Sequence, residues 1–325
     1  MNIEKLLEEK SAVVDEELKK IFPESDIPNL YDAINYHLES GGKRIRPVLA
    51  IATCEALGCD SKKVLPFALS CEILHNWLLV HDDIEDGDRM RRNKPTVWVK
   101  YGLPHAINVG DLMAQKVYES ILSSELDNET TIKLIKAMIN TSIKTAEGQA
   151  MDINLRKNND PTEDDYMQTV INKTAYYMTV PMVGGAIVAG RDEIIDKIIE
   201  FGKRAGPAFQ IADDLLDLTS GKGRGEIGRD IKEGKRSILI VHCLNRCDSN
   251  EKLRLLDILN RSVEETSSEE ILWVKGLFEK YGSIDYARDK AATLIKESKS
   301  VIEDLPEELR DILNSFADYL VERKK

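Results

Sequence analysis

The stretch Val64-Leu65-Pro66-Phe67-Ala68-Leu69-Ser70-Cys71-Glu72-Ile73-Leu74-His75-Asn76-Trp77-Leu78-Leu79-Val80 is apolar almost all round a helical wheel. A helix of that kind belongs in an interior, with neighbours on every side. It runs directly into Asp82-Asp83-Ile84-Glu85-Asp86. Outward from it the helical signal continues. Ile132, Ile135, Ile139, Ile143 and Ala146 recur at three- and four-residue steps, one face of an amphipathic helix. Thr162 followed by Asp165 reads as a helix start of the capping-box type, with Asp in place of Glu. The carboxyl-terminal third repeats helix-length segments broken near Ser249-Asn250, Ser267-Ser268 and Leu305-Pro306. Alternating strand patterns bounded by Asn-Gly or Asp-Gly turns are absent. The expected architecture is all-α, one large helical domain over residues 1–325.

Composition narrows the function classes. A length of 325 residues allows one large domain or two ordinary ones, and 42% hydrophobic residues exclude disorder as the main state. Lys plus Arg number 45 against 57 Asp plus Glu, a net charge of −12 that argues against a nucleic-acid binder relying on bulk positive charge. No stretch approaches the roughly 18 consecutive apolar residues of a membrane span. The start, Met1-Asn2-Ile3-Glu4-Lys5, lacks a signal peptide's apolar segment. Five cysteines, an odd number in a long chain, make no disulfide framework. A soluble cytoplasmic protein is expected. The segment Thr219 to Gly228, rich in glycine, reads as an active-site loop rather than a domain boundary.

Chemistry concentrates in two acid clusters. Asp82–Asp86 closes the first apolar stretch, and Asp213-Asp214-Leu215-Leu216-Asp217 closes another, Ala208 to Leu218. In each, the first and last Asp share a helical face, with Cβ atoms about 5–6 Å apart. Carboxylates so placed repel, and burying them uncompensated is costly. Mg²⁺ is the simplest compensation, since it takes one or two carboxylates and fills its other positions with water and phosphate oxygens. A single such motif reads equally well as solvated helix-end acids; two copies, each ending an apolar helix, favour the metal. Gly41-Gly42-Lys43-Arg44-Ile45-Arg46-Pro47 adds a group of cations beside flexible glycines, and Arg91-Arg92 follows the first acid cluster. Arginine's planar fork suits phosphate oxygens. Either basic segment alone could be surface charge; together with the acid clusters they point to a ligand bearing diphosphate groups.

These residues resemble the trans-isoprenyl diphosphate synthases, the polyprenyl synthetase family, from about Tyr31 to Lys235 and more loosely to the C-terminus. Within the family it resembles the archaeal-type short-chain geranylgeranyl diphosphate synthases, with farnesyl diphosphate synthases as the alternative. The resemblance implies mostly antiparallel helices around a central cavity (the isoprenoid synthase type I fold), a homodimer, and head-to-tail condensation of isopentenyl diphosphate with dimethylallyl, geranyl or farnesyl diphosphate. It implies that Asp82, Asp83 and Asp86, with Asp213, Asp214 and Asp217, hold about three Mg²⁺ ions on the allylic diphosphate. Arg91, Lys173 and Lys235 would grip that diphosphate, while Lys43, Arg46, His75 and Arg92 would bind that of isopentenyl diphosphate. Gln210, with the Thr174 hydroxyl and the Lys173-Thr174 backbone, would sit beside the developing carbocation; Gln149 and Asp152 would line the same cavity.

The chain departs from the family pattern in places. Asn93 stands where glycine usually follows the Arg pair, and Ser237 replaces a common Thr. Glu226 occupies a position where a diphosphate-binding lysine is frequent, with Lys222 and Arg224 as substitutes from the same loop. A class I terpene cyclase would share the first acid cluster but usually lacks the second, and a regulatory subunit usually loses one of the two. Product length is expected to depend on Leu78, Trp77 and Leu74, one and two turns below Asp82. The Trp77 indole would be the floor, with Leu74 narrowing the space below. The alternative is that Trp77 packs into the core and Met113 or Val117 makes the floor. His37, His105 and His242 are read as structural or surface residues, and His81 as orienting Asp82. Cys243 and Cys247 lack the second pair of a metal site. The tail Glu322-Arg323-Lys324-Lys325 is read as solvated, although in some relatives such an end closes over isopentenyl diphosphate.

Overall fold

The computed structural model describes residues 3–219 and 227–322. Lys222, Arg224, Glu226 and the basic end Arg323-Lys324-Lys325 lie outside the described residues. Among the described residues the regular structure is helical apart from one two-stranded hairpin, Met90–Arg91 with Lys94–Pro95, so the all-α class holds. The chain forms two compact units. One is made of Met1–Asn140, Thr179–Ile198 and Asp304–Ser315, the other of Thr141–Met178, Ile199–Glu303 and Phe316–Lys325. Most of the boundaries fall inside helices, among them Asn128–Leu155 and Ile195–Asp217, rather than in linkers.

In the first unit the apolar stretch forms the helix Ser61–Glu85, started by Asp60, whose side chain accepts the Lys62 backbone N–H at 3.0 Å. It packs against Ile45–Ala56 on one side and Leu103–Leu122 on another. Phe67, Ile73 and Leu74 are fully buried there, each contributing roughly 1.5–3 kcal/mol of transfer free energy. By length and composition this helix could cross a membrane, but 61% of its most apolar window is buried in the protein, as in a core helix. It ends where the Asp86 N–H bonds the Asp82 carbonyl at 2.8 Å, which places the acid cluster at the rim of an apolar core.

The amphipathic helix forms as Asn128–Leu155, but its isoleucine stripe faces outward. Ile132, Ile139 and Ile143 are 51%, 42% and 51% exposed, while Leu134, Met138, Thr141 and Thr145 are buried. The periodicity found the helix; it could not tell which face the core would take.

The second unit is organised around Ile238–Leu244, in which every residue is buried, packed against Glu163–Val170, Ser268–Lys280 and Ser283–Val301. The Thr162–Asp165 capping box forms as expected, with Thr162 Oγ1 accepting the Asp165 N–H at 3.1 Å and Asp165 Oδ2 accepting the Thr162 N–H at 2.9 Å. Asp248 caps Ser249–Leu259, Ser267 caps Ser268–Lys280, and Glu307–Val321 follows Pro306, matching the foreseen breaks.

Candidate active site

In the first unit, Asp82 is half-buried while Asp83 and Asp86 are buried at the end of Ser61–Glu85. Arg91 directs Nε and Nη2 onto Asp83 Oδ1, each at 2.7 Å. The other oxygen, Asp83 Oδ2, is buried and accepts no hydrogen bond. Burial pushes the Asp83 carboxyl up to about 7, with Arg91 opposing and Asp88 and Asp82 adding to the rise. A hard cation suits such an oxygen. Among the described residues no three His, Cys, Asp or Glu side chains are grouped to hold an ion by themselves. The unpartnered Asp83 oxygen fits a divalent cation that completes its coordination from other donors.

The hairpin explains the departure at Asn93. Its loop is Arg92-Asn93, with φ of 50° and 61°, and the flanking pairs are Arg91 with Lys94 and Met90 with Pro95. Two positive φ values in a two-residue loop make a type I′ turn. Asn tolerates that conformation through its short polar side chain. Arg92 is less suited to it, at a cost of order 1–3 kcal/mol. Its guanidinium donates to the Gly41 carbonyl and, at 3.3 Å, to Ser40 Oγ, which ties the hairpin to the glycine-rich loop. A Cβ on Gly42 would stand 3.2 Å from the nearer Arg92 nitrogen, so the absent side chain makes room for the guanidinium.

Near the hairpin the charges of Arg91 and Arg92 act together with that of Arg46 on His75, groups far apart in sequence. Burial holds His75 well below the ordinary imidazole range, reinforced by the charges of Arg46, Arg92 and Arg91. Burial also lowers the basicity of Arg92, with Arg91, Arg44 and Arg46 adding to the effect and Glu72 opposing it. Cations so gathered favour a polyanion. Lys43 is exposed on the adjoining loop. Arg44 turns inward instead, to Asp15 at 2.7 Å, Glu72 at 2.8 Å and the Leu38 carbonyl at 3.2 Å. His37 is buried as a structural residue, pushed down to about 3 by burial and by Arg91, Arg92 and Arg44. His81 corrects an expectation: its Nδ1 accepts the Trp77 indole N–H at 3.3 Å rather than orienting Asp82. Trp77 and Leu78 are half-buried, and Leu74, Met113 and Val117 fully buried.

In the second unit, Lys173 and Thr174 lie in a π-helical turn, Ile171–Ala175, a geometry frequent at functional sites. Lys173 Nζ meets Asp152 Oδ2 at 2.9 Å. Burial works against the Asp152 charge, yet Lys173, Lys235 and Arg156 hold its carboxyl below the ordinary range. Lys235 lies 2.7 Å from Glu233 and 3.5 Å from Asp230. Lys173 is thus paired with Asp152, and the charge of Lys235 acts on the same carboxylate while its ion pairs run to Glu233 and Asp230. Asp213, Asp214 and Asp217 end the helix Ile195–Asp217. Asp214 accepts from the Tyr166 hydroxyl at Oδ2 and from Gln210 Nε2 at Oδ1, each at 2.9 Å. Asp217 Oδ2 accepts the Asp230 backbone N–H at 3.1 Å. Because Gln210 donates through its nitrogen, its carbonyl oxygen, the negative end of the amide dipole, points elsewhere.

The sequence reading missed Tyr166 and Arg236. Tyr166 follows the recognised capping box directly, so its place on the first turn was legible, but its tie to Asp214 was not. Arg236 is buried and, among the described residues, donates to neutral oxygens: Asn158 O at 3.0 Å, Gly234 O at 2.7 Å and Asn260 Oδ1 at 2.9 Å. It fastens the turn that carries Lys235, and burial lowers it to about 10.

The family model described as polyprenyl synthetase matches residues 27–273. The chain belongs to the polyprenyl synthetase family. This polyprenyl synthetase is 33% identical over 327 residues to the geranylgeranyl pyrophosphate synthase of Geoglobus acetivorans, covering 99% of each chain. Its fold is similar to the crystal structure of geranylgeranyl pyrophosphate synthetase from Pyrococcus horikoshii, with a TM-score of 0.90, 33% identity, and 99% and 98% of the two chains covered. It is also similar to a polyprenyl synthase from Caulobacter crescentus complexed with calcium and isoprenyl diphosphate, with a TM-score of 0.89, 25% identity, and 99% and 97% covered. The chain is accordingly a trans-prenyltransferase. His242 Nδ1 bonds Ser283 Oγ at 2.9 Å, and burial pushes the Cys243 thiol up to about 12. Ser237 stands at the N-cap of Ile238–Leu244, a position a Thr would also suit.

Proposed function

We propose that this polyprenyl synthetase condenses isopentenyl diphosphate with dimethylallyl, geranyl and farnesyl diphosphate, head to tail, and that its product is geranylgeranyl diphosphate. The observation that carries the reading is the gathering of Arg46, His75, Arg91 and Arg92 beside a buried acid cluster that retains an unpartnered carboxylate oxygen. A terpene cyclase has no need of such a second anion site.

In this reading Asp82, Asp83 and Asp86, with Asp213, Asp214 and Asp217, hold about three Mg²⁺ ions. When bound, the metal supplies Lewis-acid stabilisation of the departing diphosphate. Lys173, Lys235 and Arg91 grip the allylic diphosphate and stabilise its growing negative charge as the carbon–oxygen bond breaks. Lys43, Arg46, His75 and Arg92 hold isopentenyl diphosphate, His75 as a neutral hydrogen-bonding ring. Gln210, fixed by Asp214, turns its carbonyl oxygen to the allylic cation, with Thr174 alongside. The double bond of isopentenyl diphosphate attacks the cation, and the proton then lost goes to the departing diphosphate. Trp77, with Leu78 above and Leu74 below, ends the space for the growing chain.

The reading also treats the two units as one domain, because the chain passes between them within continuous helices. It takes the protein to be cytoplasmic and a homodimer. The outward isoleucine stripe of Asn128–Leu155 supports the dimer, since a two-fold pairing lays such a ridge against its own copy.

The test is a product assay with labelled isopentenyl diphosphate and each allylic primer. Pyrophosphate release that requires isopentenyl diphosphate, with geranylgeraniol after dephosphorylation, supports the proposal. Release without isopentenyl diphosphate points to a cyclase, and products ending at farnesol overturn the chain-length assignment. Trp77→Ala should lengthen the product by at least one isoprene unit.

A further inference from the structure

Trp77 and His81 stand one turn apart on Ser61–Glu85, the indole N–H donating to His81 Nδ1 at 3.3 Å. The rings meet edge to face, with centroids 6.2 Å apart and planes at 80°. An imidazole that accepts at Nδ1 carries its proton on Nε2. That Nε2 is buried and has no hydrogen-bond partner. What lies against it is Gly110, where an added Cβ would stand 2.0 Å from Nε2 and 2.4 Å from Cδ2. Gly110 belongs to Leu103–Leu122, with Met113 and Val117 three and seven residues further along the same face, both fully buried. The His81 ring therefore fills a notch that only glycine leaves open.

An apolar side chain could fill that notch without stranding a buried N–H. The one thing the imidazole adds is an acceptor for the indole. Trp77 is only half-buried, so packing alone leaves its ring room to change rotamer.

We propose that His81 is a positioning residue for product length, seated by the notch at Gly110 and holding the Trp77 indole in a single orientation. The inference rests on the reading of Trp77 as the floor for the growing chain. Its effect is on how sharply the product distribution ends, since an indole that swings free admits an extra isoprene unit part of the time.

The experiment compares product distributions of the wild-type protein with His81→Leu, His81→Gln, Trp77→Phe, Gly110→Ala and Trp77→Ala, with melting curves for each. Losing one neutral hydrogen bond should raise the fraction of products one unit longer by roughly 2–10-fold in His81→Leu. Trp77→Phe, which keeps a ring but loses the donor, should do the same. Gly110→Ala, which pushes the imidazole out of its notch, should follow them. His81→Gln, which keeps an acceptor at similar reach, should restore the sharp ending, which a purely structural role would not predict. If Trp77→Ala lengthens the products while His81→Leu and Trp77→Phe leave them unchanged, the tether is wrong and the floor stands. Equal broadening by His81→Leu and His81→Gln also overturns the tether, because packing alone then explains it. If Trp77→Ala itself changes nothing, the floor reading fails and takes this inference with it.

Discussion

An alanine at Gly148 should damage both the fold and the chemistry, by an amount that can be worked from the structure. Its Cβ would stand 2.1 Å from the Lys173 backbone nitrogen, 2.6 Å from Lys173 Cα and 2.7 Å from Asn172 C. Ordinary contact begins at 3.4 Å, so the nearest pair is about 1.3 Å too close. The obstructing atoms are backbone, which no rotamer change can move aside. Either the Asn128–Leu155 helix or the π-helical turn must shift by about an ångström. Overpacking of this kind costs about 1–3 kcal/mol of stability. A similar displacement of Lys173 and Thr174 should lower kcat by about 10²-fold. Urea melts and steady-state turnover of Gly148→Ala measure the two effects separately. Gly276→Ala is the control, because nothing lies within 4 Å of a Cβ there and the position is inside an exposed helical turn. That substitution should stabilise the protein by about 0.8–1 kcal/mol and leave turnover alone. Wild-type stability and turnover in Gly148→Ala would refute the claim that the turn depends on this close approach.

Two further outcomes follow from the electrostatics. His37 has a folded pKa of about 3 against an ordinary 6.5, so between those values the unfolded chain binds the extra proton. Stability should therefore fall as pH drops from 6.5 toward 3, by up to roughly 1.4 kcal/mol per pH unit, and His37→Gln should flatten that slope in urea melts. In kinetics, Arg92→Ala should chiefly raise the KM for isopentenyl diphosphate, and Lys173→Ala should chiefly impair use of the allylic primer. The same substrate dependence in both variants would contradict the assigned roles.

What the sequence disclosed was what is decided within a few residues. The Thr162–Asp165 box, the breaks near Ser249-Asn250 and Ser267-Ser268 and the end of Ser61–Glu85 at its acid cluster depend on neighbours a few positions away. Contacts between distant segments were not legible. Arg44 stands in the cationic segment with no role assigned to it, and its inward ties to Asp15 and Glu72 could not be read there. The isoleucine stripe identified its helix correctly, yet a helix with two usable faces is oriented by its neighbours. Tyr166 and Arg236 carry no local signature, because what each does is defined by partners tens of residues away. Asn93 looked like a defect only until its φ showed a turn that Asn tolerates.

The hairpin at residues 90–95 bears on how this chain can drift over evolutionary time. Adjacent arginines there serve different partners, Arg91 the Asp83 carboxylate and Arg92 the Gly41 carbonyl. They can do so because Arg91 ends the strand opposite Lys94 while Arg92 already turns through the left-handed loop, and the two-residue loop fixes both positions. Exchanges of residue type, such as Asn for Gly, leave that geometry alone. Insertion or loss of a single residue does not, since a slip of one position turns every side chain to the other face. The segment is therefore permissive to substitution and closed to changes of length, with the arginines kept in step by counting alone.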